Sequence, residues 1–276
     1  MNNWEFQYNS LTLGGTTSFP LNSLTGLSPP DSRVDEVVRM DAHGSFIYAE
    51  FLEARRITMQ GEILDDPTTN FESLVTLWRA AFAPQPAPLP LSYQLPGGEA
   101  KRIYCVPTRR DLPIDFDYNI GRGTFLVELL AEDPRIYSDT PSSSSTQVFV
   151  AEGVDFSVDF SFSFGGGTGG VVQCTNNGSY FSPPVIRFTG PCTNPKVRNL
   201  STNEHIRLET VIASGHYLEV DVKERTVVAD DGGSRYAYLD MSSIWWELGP
   251  GTSAIEFTAE AASGALMNIS WRGAWI

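Results

Sequence analysis

The sequence is poor in the residues that catalytic, metal-binding and redox proteins use. Among 276 residues there are three cysteines and three histidines. These are Cys105, Cys174, Cys192, His43, His205 and His216. The cysteines form no Cys-x-x-Cys unit, and no Gly-x-Ser-x-Gly, His-Glu-x-x-His or Walker lysine motif occurs. The sequence therefore predicts no catalytic residue, no metal site and no cofactor.

The cysteines and the apolar runs also bear on the cellular compartment. An odd cysteine count, together with a first segment that lacks a basic and apolar leader, indicates buried or free thiols in a reducing cytoplasm. A Cys174–Cys192 disulfide is the less favoured alternative. No apolar run approaches about 18 residues, so no membrane span is predicted.

Basic residues are scarce as well. There are 33 acidic against 19 basic residues, and the formal net charge is −14. A surface of this charge repels phosphates and anionic lipid headgroups. Binding to nucleic acid or to a lipid surface is therefore not expected.

What the sequence does contain is strand patterning. Trp4–Leu13 alternates like one half-exposed strand, and 34–40 with 46–62 are predicted to form a long hairpin around a turn at 41–44. His43 lies in that turn, where a solvated side chain is the favoured interpretation. Further strands are predicted at 102–107 and 123–130, the latter with Phe125, Val127 and Leu129 on one face.

One helix is predicted in the first half of the chain. Thr69-Asn70-Phe71-Glu72 has the form of a capping box, and Phe71, Leu74, Val75, Trp78 and Phe82 recur at helical spacing over about 12 residues. Four prolines at 84–90 then predict an extended connection.

The length predicts two domains at about 150 residues each, with one large β domain as the alternative. Composition shifts after Tyr137, and Asp139–Thr146, with Pro141 and four serines, is interpreted as a linker. The predicted domains are therefore residues 1–139 and 140–276.

Two segments after the linker invite functional interpretations. Val154–Phe164 alternates as a strand whose other face carries Asp155 and Asp159, for which solubility is favoured over acid–base chemistry. Gly165–Gly170 matches Gly-x-Gly-x-x-Gly, but no helix or acidic ribose ligand follows, so a hairpin connection is favoured over a nucleotide loop. Substitution of His43, Asp155 or Gly167 is expected to leave assembly intact.

Short strands at regular spacing in the second half predict an antiparallel sandwich. They include 183–190, 195–199, 217–222, 226–228 and a segment at Tyr236–Leu239. The chain ends in a predicted closing hairpin with a turn at Gly264, whose last strand buries Met267, Ile269, Trp271 and Trp275. Truncation there is expected to unfold a domain.

Several of these segments carry a family resemblance. They are the strand Arg56-Ile57-Thr58-Met59-x-Gly61-x-Ile63, the turn Glu132-Asp133-Pro134 with Tyr137, Asn177-Gly178, Pro184-x-Ile186, Gly190, Pro195, Asn199, Leu218-x-Val220-Asp221, and Leu248-Gly249-Pro250-Gly251 before a terminal aromatic strand. The chain resembles the distal tail protein family of siphoviruses over nearly its full length, most specifically in the second half.

The resemblance implies a mainly β protein with a tail-tube-like, ring-forming domain at 1–139, containing one helix, and a galectin-like β-sandwich at 140–276. It implies a homo-oligomer, a hexameric ring at the tail tip, that joins the tail tube protein to a tail hub or tape-measure-associated protein. Receptor-binding or side-fibre proteins attach to such rings, and DNA only passes through the lumen. The expected location is the virion tail, after synthesis in the host cytoplasm, without membrane contact.

The alternative is a carbohydrate-binding or glycoside-acting sandwich. A sugar site uses exposed aromatic rings as stacking platforms beside polar groups. Trp245, Tyr236 and Tyr180 are the candidates for this role, although packing in the sandwich core is the simpler interpretation of each.

Overall fold

The computed structural model of the chain describes residues 3–66, 68–149 and 170–276. It is mainly β, with antiparallel sheets, and confirms the predicted fold class. The chain forms two compact units, Met1–Thr140 together with Ile276, and Pro141–Trp275. The predicted strand at 154–164 and residues 165–169 of the glycine-rich segment lie outside the described residues.

In the first unit, the part of the chain that the structure describes forms ten strands and two helices. The strands are β1 (Glu5–Tyr8), β2 (Leu11–Gly14), β3 (Leu21–Thr25), β4 (Ser32–Val38), β5 (Ser45–Leu52), β6 (Arg55–Leu64), β7 (Leu89–Gln94), β8 (Lys101–Asp111), β9 (Arg122–Ala131) and β10 (Ile136–Ser138), and the helices are α1 (Phe71–Ala81) and α2 (Phe116–Asn119). The main sheet has the order β2-β1-β7-β8-β9-β6-β3, and β10 pairs with β8. β4 and β5 form a separate two-stranded sheet.

Alternating side chains from the centre of the main sheet form the core of the first unit. Ile57, Met59 and Ile63 of β6 are buried, as are Phe125, Val127 and Leu129 of β9. α1 covers this face with Leu74, Val75, Trp78 and the following Phe82, and the Trp78 ring centroid lies 5.8 Å from that of Phe125. The predicted helix face and the predicted face of β9 are confirmed.

Two strand predictions in the first unit are wrong in their boundaries. Trp4–Leu13 is a hairpin, because Asn9 and Ser10 adopt φ of 43° and 69° and turn the chain between β1 and β2. The second arm of the predicted long hairpin is also two elements. β5 ends at Leu52, and β6 leaves the hairpin to pair with β3 and β9.

The helices also differ in detail from the prediction. The N-cap of α1 is Asn70 rather than Thr69, since the Asn70 side-chain oxygen accepts from the backbone N–H of Glu72 at 2.9 Å. The short α2 carries no amphipathic period that its sequence would reveal. It begins at Asp115, whose carboxylate accepts from the Tyr118 N–H at 3.2 Å.

The described residues of the second unit, 141–149 and 170–275, form twelve strands. They are β11 (Ser142–Phe149), β12 (Gly170–Asn176), β13 (Val185–Thr189), β14 (Cys192–Thr193), β15 (Lys196–Asn199), β16 (His205–Arg207), β17 (Val211–Ile212), β18 (Tyr217–Asp221), β19 (Thr226–Ala229), β20 (Gly251–Thr258), β21 (Ala261–Trp271) and β22 (Ala274–Trp275). One sheet has the order β17-β14-β21-β13-β18-β19, with β11 paired to β21. The other has the order β12-β20-β15-β16.

The two sheets of the second unit bury a common core. Ile186, Met267 and Ile269 from the first sheet and Ile255 and Phe257 from the second belong to one buried cluster. The Phe188 and Phe257 ring centroids lie 5.5 Å apart across it. The arrangement is an antiparallel sandwich, as the regular strand spacing predicts.

The predicted closing hairpin is wrong, although the predicted face of its last strand is right. β20 pairs with β12 and β15, whereas β21 pairs with β11, β13 and β14. The chain therefore crosses from one sheet to the other after Thr258. Each of the two strands turns its apolar face toward the common core. Gly264, with φ of 72°, lies inside β21 beside a register shift rather than in a turn.

Two further predictions in the second unit are wrong. The serine-rich segment read as a linker is β11, whose backbone pairs with β21 from Ser142 opposite Trp271 onwards. Backbone pairing requires no apolar side chain, which is why composition alone missed it. Tyr236–Tyr238 is a 3-10 helix rather than a strand.

The Asn176-Asn177-Gly178 turn is built around a buried amide. Asn176 donates to the carbonyls of Tyr180 and Leu248 at 2.8 and 3.0 Å and accepts from the Gly178 N–H at 2.9 Å. A Cβ on Gly178 would lie 1.9 Å from the Ala274 carbonyl oxygen. Only glycine allows this close approach of two backbones.

Candidate functional site

The β4–β5 hairpin is the largest uncovered apolar element in the described part of the chain. Its exposed apolar side chains are Val34, Val37, Val38, Phe46, Ile47, Tyr48 and Phe51, and Val38 and Ile47 are 73% and 70% exposed. An isolated two-stranded hairpin is at best marginally stable in water. A large exposed apolar patch marks a contact with another protein, a membrane or a ligand.

The two faces of this hairpin differ in charge. Residues directly opposite in an antiparallel pair share a face, so Arg33, Val37, Phe46 and Phe51 lie together. The Arg39 guanidinium lies 4.5 Å from the centre of the Phe46 ring, and that of Arg33 lies 5.8 Å from the centre of the Phe51 ring. We call this the arginine face. It also carries Asp35 and Ala49.

The opposite face of the hairpin, which we call the glutamate face, is apolar and acidic. It is formed by Val34, Glu36, Val38, Ile47, Glu50 and Leu52. Glu36 accepts a hydrogen bond from the Ser45 hydroxyl at 2.7 Å. The hairpin therefore offers two apolar faces of opposite charge character.

Arg55 fixes the point at which the hairpin leaves the unit. Its side chain is 2% exposed and donates to the carbonyl oxygens of Pro134 and Gly26 at 2.8 and 2.9 Å, and also to that of Ser28. Burial lowers the pKa of this guanidinium. The contacts tie the segment before the hairpin to the strand that follows it, and the sequence signal is an arginine in phase with Ile57, Met59 and Ile63.

The second unit has an open groove of about 430 Å³ at the β17 and β18 end of the sandwich. Its rim includes Val211, His216, Tyr217, Asp230, Arg235 and Tyr238. His216 Nδ1 lies 2.6 Å from an Asp230 carboxylate oxygen, and the Arg235 guanidinium lies 2.6 Å from Asp231. The groove thus combines two phenol rings with polar groups.

The structure brings together only two of the three aromatic residues predicted for a sugar site. The rings of Tyr236 and Trp245 stack at 6.4 Å with an interplanar angle of 20°, and neither lines the groove. Tyr180 contacts Phe181 instead, at 5.8 Å. The sequence prediction missed Tyr217 and Tyr238, whose alternation resembles that of any strand.

The other sequence-predicted residues fall at separate places. His43 lies in the exposed hairpin turn, whereas Asp155, Asp159 and Gly167 lie outside the described residues. Cys105, Cys174 and Cys192 are buried and free, as the favoured prediction states. Burial raises the pKa of Cys105 and Cys174 to about 12 and that of Cys192 to about 11.

Within 3–66, 68–149 and 170–276, no group of three or more His, Cys, Asp or Glu side chains is arranged to hold a metal ion. In the same part of the chain, no helix combines the length and the hydropathy required to cross a bilayer.

Comparison with known proteins addresses the second half and the whole fold separately. Residues 177–275 match the family model described as siphovirus-type tail component, C-terminal domain. The whole chain is similar in fold to the Dit protein of phage SPP1, described as a paradigm of the hub adsorption apparatus in phages that infect Gram-positive bacteria. The TM-score is 0.68 at 15% identity, over 99% of each chain.

A second solved structure shares the fold over most of the chain. A chain of the phage P2 baseplate, in its activated conformation with Ca, matches with a TM-score of 0.55 at 10% identity, over 92% of this chain and 91% of that one. No curated protein matches the sequence. The resemblance to distal tail proteins that the sequence motifs indicate is confirmed by the family model and the shared fold.

Proposed function

We propose, from a second unit that matches a siphovirus tail component and a fold shared with SPP1 Dit, that this chain is the protomer of a ring at the distal end of a phage tail. The ring joins the tail tube to the tail hub and carries receptor-binding or fibre proteins at its periphery. Its role is architectural rather than catalytic. The similarities to a siphovirus tail component and to baseplate structures support a structural tail or baseplate protein.

The exposed β4–β5 hairpin is the structural observation that supports assembly into a ring. Its apolar side chains are exposed, and its two edges have no strand partner among the described residues. Exposed edges and apolar faces drive aggregation unless a partner covers them. A closed ring covers one such surface on each protomer without leaving one over.

The position of the hairpin in the chain assigns a separate role to each unit. The hairpin belongs to the first unit, so we assign ring formation to residues 1–139 and outward display to residues 140–276. The family resemblance implies six copies. The acidic balance, with a net charge of −14, favours free passage of DNA through such a lumen.

Electron microscopy and light scattering of the purified full chain test the ring. We expect a closed ring in projection and a mass several times that of the chain. A matched variant in which residues 32–52 are replaced by a short Gly-Ser turn is expected to be a folded monomer. A wild-type chain that stays monomeric at all accessible concentrations would overturn the proposal.

Saccharide binding is the second candidate, and the groove in the second unit is the observation that favours it. Tyr217 and Tyr238 supply apolar ring surface, while Asp230, Arg235 and His216 supply hydrogen-bonding groups. Neutral sugars are held by this combination of stacking and polar contacts.

Calorimetry with soluble fragments of host-wall polysaccharide tests this second candidate. Saturable heat that is lost in Tyr238→Ala and kept in Tyr236→Ala, which lies outside the groove, is the expected result. Absence of binding heat in the wild-type chain would refute it, and would leave the ring unaffected.

A further inference from the structure

A second exposed apolar surface in the first unit surrounds α2. Ile114, Phe116 and Ile120 are 75%, 75% and 61% exposed, and we call them the α2 patch. The segment is nevertheless held in place. The Tyr118 hydroxyl donates to Glu72 at 2.7 Å, and the Tyr118 ring lies edge-on to Phe71 at 5.1 Å. The anchoring tyrosine keeps the segment fixed while its apolar neighbours face solvent.

The surroundings of the α2 patch are acidic. Asp115 and Asp117 alternate with its apolar residues and are exposed, and the exposed Asp65 adjoins it, since its N–H donates to the Gly121 carbonyl at 3.1 Å. The neighbouring Arg122 is engaged by Glu62 at 2.8 Å. Arg79 interacts with Tyr118, and Arg122 also interacts with Asp117, so three exposed carboxylates at 65, 115 and 117 stand beside two arginines that are already engaged by carboxylates or by Tyr118. An apolar and cationic partner would complement this surface.

The arginine face of the hairpin has those properties. Phe46, Phe51 and Val37 supply apolar area, and Arg33 and Arg39 supply positive charge against the single carboxylate of Asp35. The glutamate face carries Glu36 and Glu50 and would repel the patch. Charge complementarity thus selects one face of the hairpin.

The two surfaces lie at opposite ends of β6. Arg55, at the root of the hairpin, begins β6, and Leu64 ends it opposite Arg122, directly after α2 and Gly121. Ten residues of strand span roughly 30 Å. Complementary surfaces at opposite ends of one unit produce head-to-tail contacts, which close into rings or grow into filaments.

We infer that the arginine face of the hairpin binds the α2 patch of the next copy of this chain. This inference rests on the proposed ring and names the two surfaces that close it. The contact is heterologous, so each protomer uses its hairpin toward one neighbour and its α2 patch toward the other.

Mixing two variants of the full chain tests the pairing. Phe51→Glu places a carboxylate on the arginine face, opposite the acidic surroundings of the patch, and Phe116→Ser removes the apolar ring from the α2 patch. Each variant alone is expected to lose the ring and to scatter light as a monomer. Their equimolar mixture retains one intact hairpin and one intact patch, so a one-to-one heterodimer and nothing larger is expected.

Controls separate this inference from the ring itself. Met241→Glu introduces the same charge as Phe51→Glu at a fully exposed apolar position of the second unit and is expected to keep the ring. If the wild-type chain forms a ring and Phe116→Ser leaves it intact, or if the mixture gives no heterodimer, the pairing is wrong while the ring stands. A monomeric wild-type chain would overturn both.

Charge reversal provides a readout that misfolding cannot imitate. Arg33→Glu combined with Arg39→Glu is expected to weaken association at low salt, and adding Asp117→Lys to the same chain should restore part of it. Asp117 is chosen because Asp115 caps α2. Failure of the added lysine to restore any association would contradict the assignment of the arginine face.

Discussion

At the scale of single residues, burial decides what each functional-looking side chain does. Arg55 is buried inside the first unit, where Nε and Nη1 donate to backbone carbonyls at the root of the hairpin and Nη2 has no hydrogen-bond partner among the described residues. Burying a cation costs free energy, and hydrogen bonds to carbonyl oxygens offset only part of that cost. We read its role as fixing the direction of the assembly hairpin.

Trp271 is the residue whose loss should cost the second unit most. Its side chain is 6% exposed in the sandwich core, and its indole N–H donates to the Thr175 carbonyl at 2.9 Å. We expect Trp271→Ala to lower the free energy of unfolding of this unit by about 3 to 5 kcal/mol. Trp271→Phe, which keeps most of the volume, should cost less. Denaturant titration followed by circular dichroism measures both, and an unchanged midpoint for the alanine variant would contradict the assigned strand face.

The cysteines provide a residue-scale prediction about pH. Because burial raises the pKa of Cys105 and Cys174 to about 12 and of Cys192 to about 11, all three stay protonated at pH 8 in the folded chain. The thiolate is the reactive form. We expect no rapid reaction with a disulfide reagent at pH 8 and reaction of all three thiols after unfolding in guanidinium. A fast-reacting thiol in the native chain would show that one of these sites opens.

At the scale of elements, β21 organises the second unit. It pairs with β11 along one edge and with β13 and β14 along the other, while Met267, Ile269 and Trp271 fill the core. No other strand described in that unit contacts three others in this way. The element therefore joins strands that are far apart in sequence.

A chain ending at Gly264 should lose the cooperative unfolding of the second unit. The truncation removes the paired and buried part of β21, so β11 and β13 lose their shared neighbour. A full-length Asn268→Thr variant, altered on the outward face of the same strand, is the control and should unfold normally. A retained unfolding transition of the sandwich in the truncated chain would contradict this role of β21.

At the scale of the whole molecule, assembly and display are assigned to separate units. The hairpin and the α2 patch both belong to the first unit, and the saccharide-sized groove belongs to the second. A ring whose contacts reside in one unit leaves the other free to vary its partners. This separation suits a connector that has to hold the tail tube and also carry adhesins.

The isolated halves test this assignment directly. We expect a chain ending at Asp139 to be oligomeric by light scattering and a chain of residues 140–276 to be monomeric. Phe51→Glu in the first half is expected to make it monomeric as well. An oligomeric second half beside a monomeric first half would reverse the assignment.

The fold class, the buried faces of the strands and the helix α1 follow from local sequence patterns. Side chains alternate on a strand and recur every 3.6 residues on a helix. Local spacing alone therefore identifies the residues that share a buried face, as for Ile57 and Met59, Phe125 and Val127, or Leu74 and Trp78. The sequence also indicated free thiols and, through motifs such as Leu248-Gly-Pro-Gly251, the family resemblance. These are all properties of a single segment.

The pairing of the strands and the exposure of the apolar surfaces to solvent are visible in the three-dimensional structure alone. Backbone hydrogen bonds are the same for every residue, so nothing in 251–258 and 261–271 reveals that the two strands lie in different sheets, or that serines 142–145 form a strand beside β21. The exposure of the β4–β5 hairpin and of the α2 patch likewise depends on the packing of the rest of the chain, and so does the burial of Arg55. Pairing and coverage are set by residues distant in the chain, and a local pattern carries no record of them.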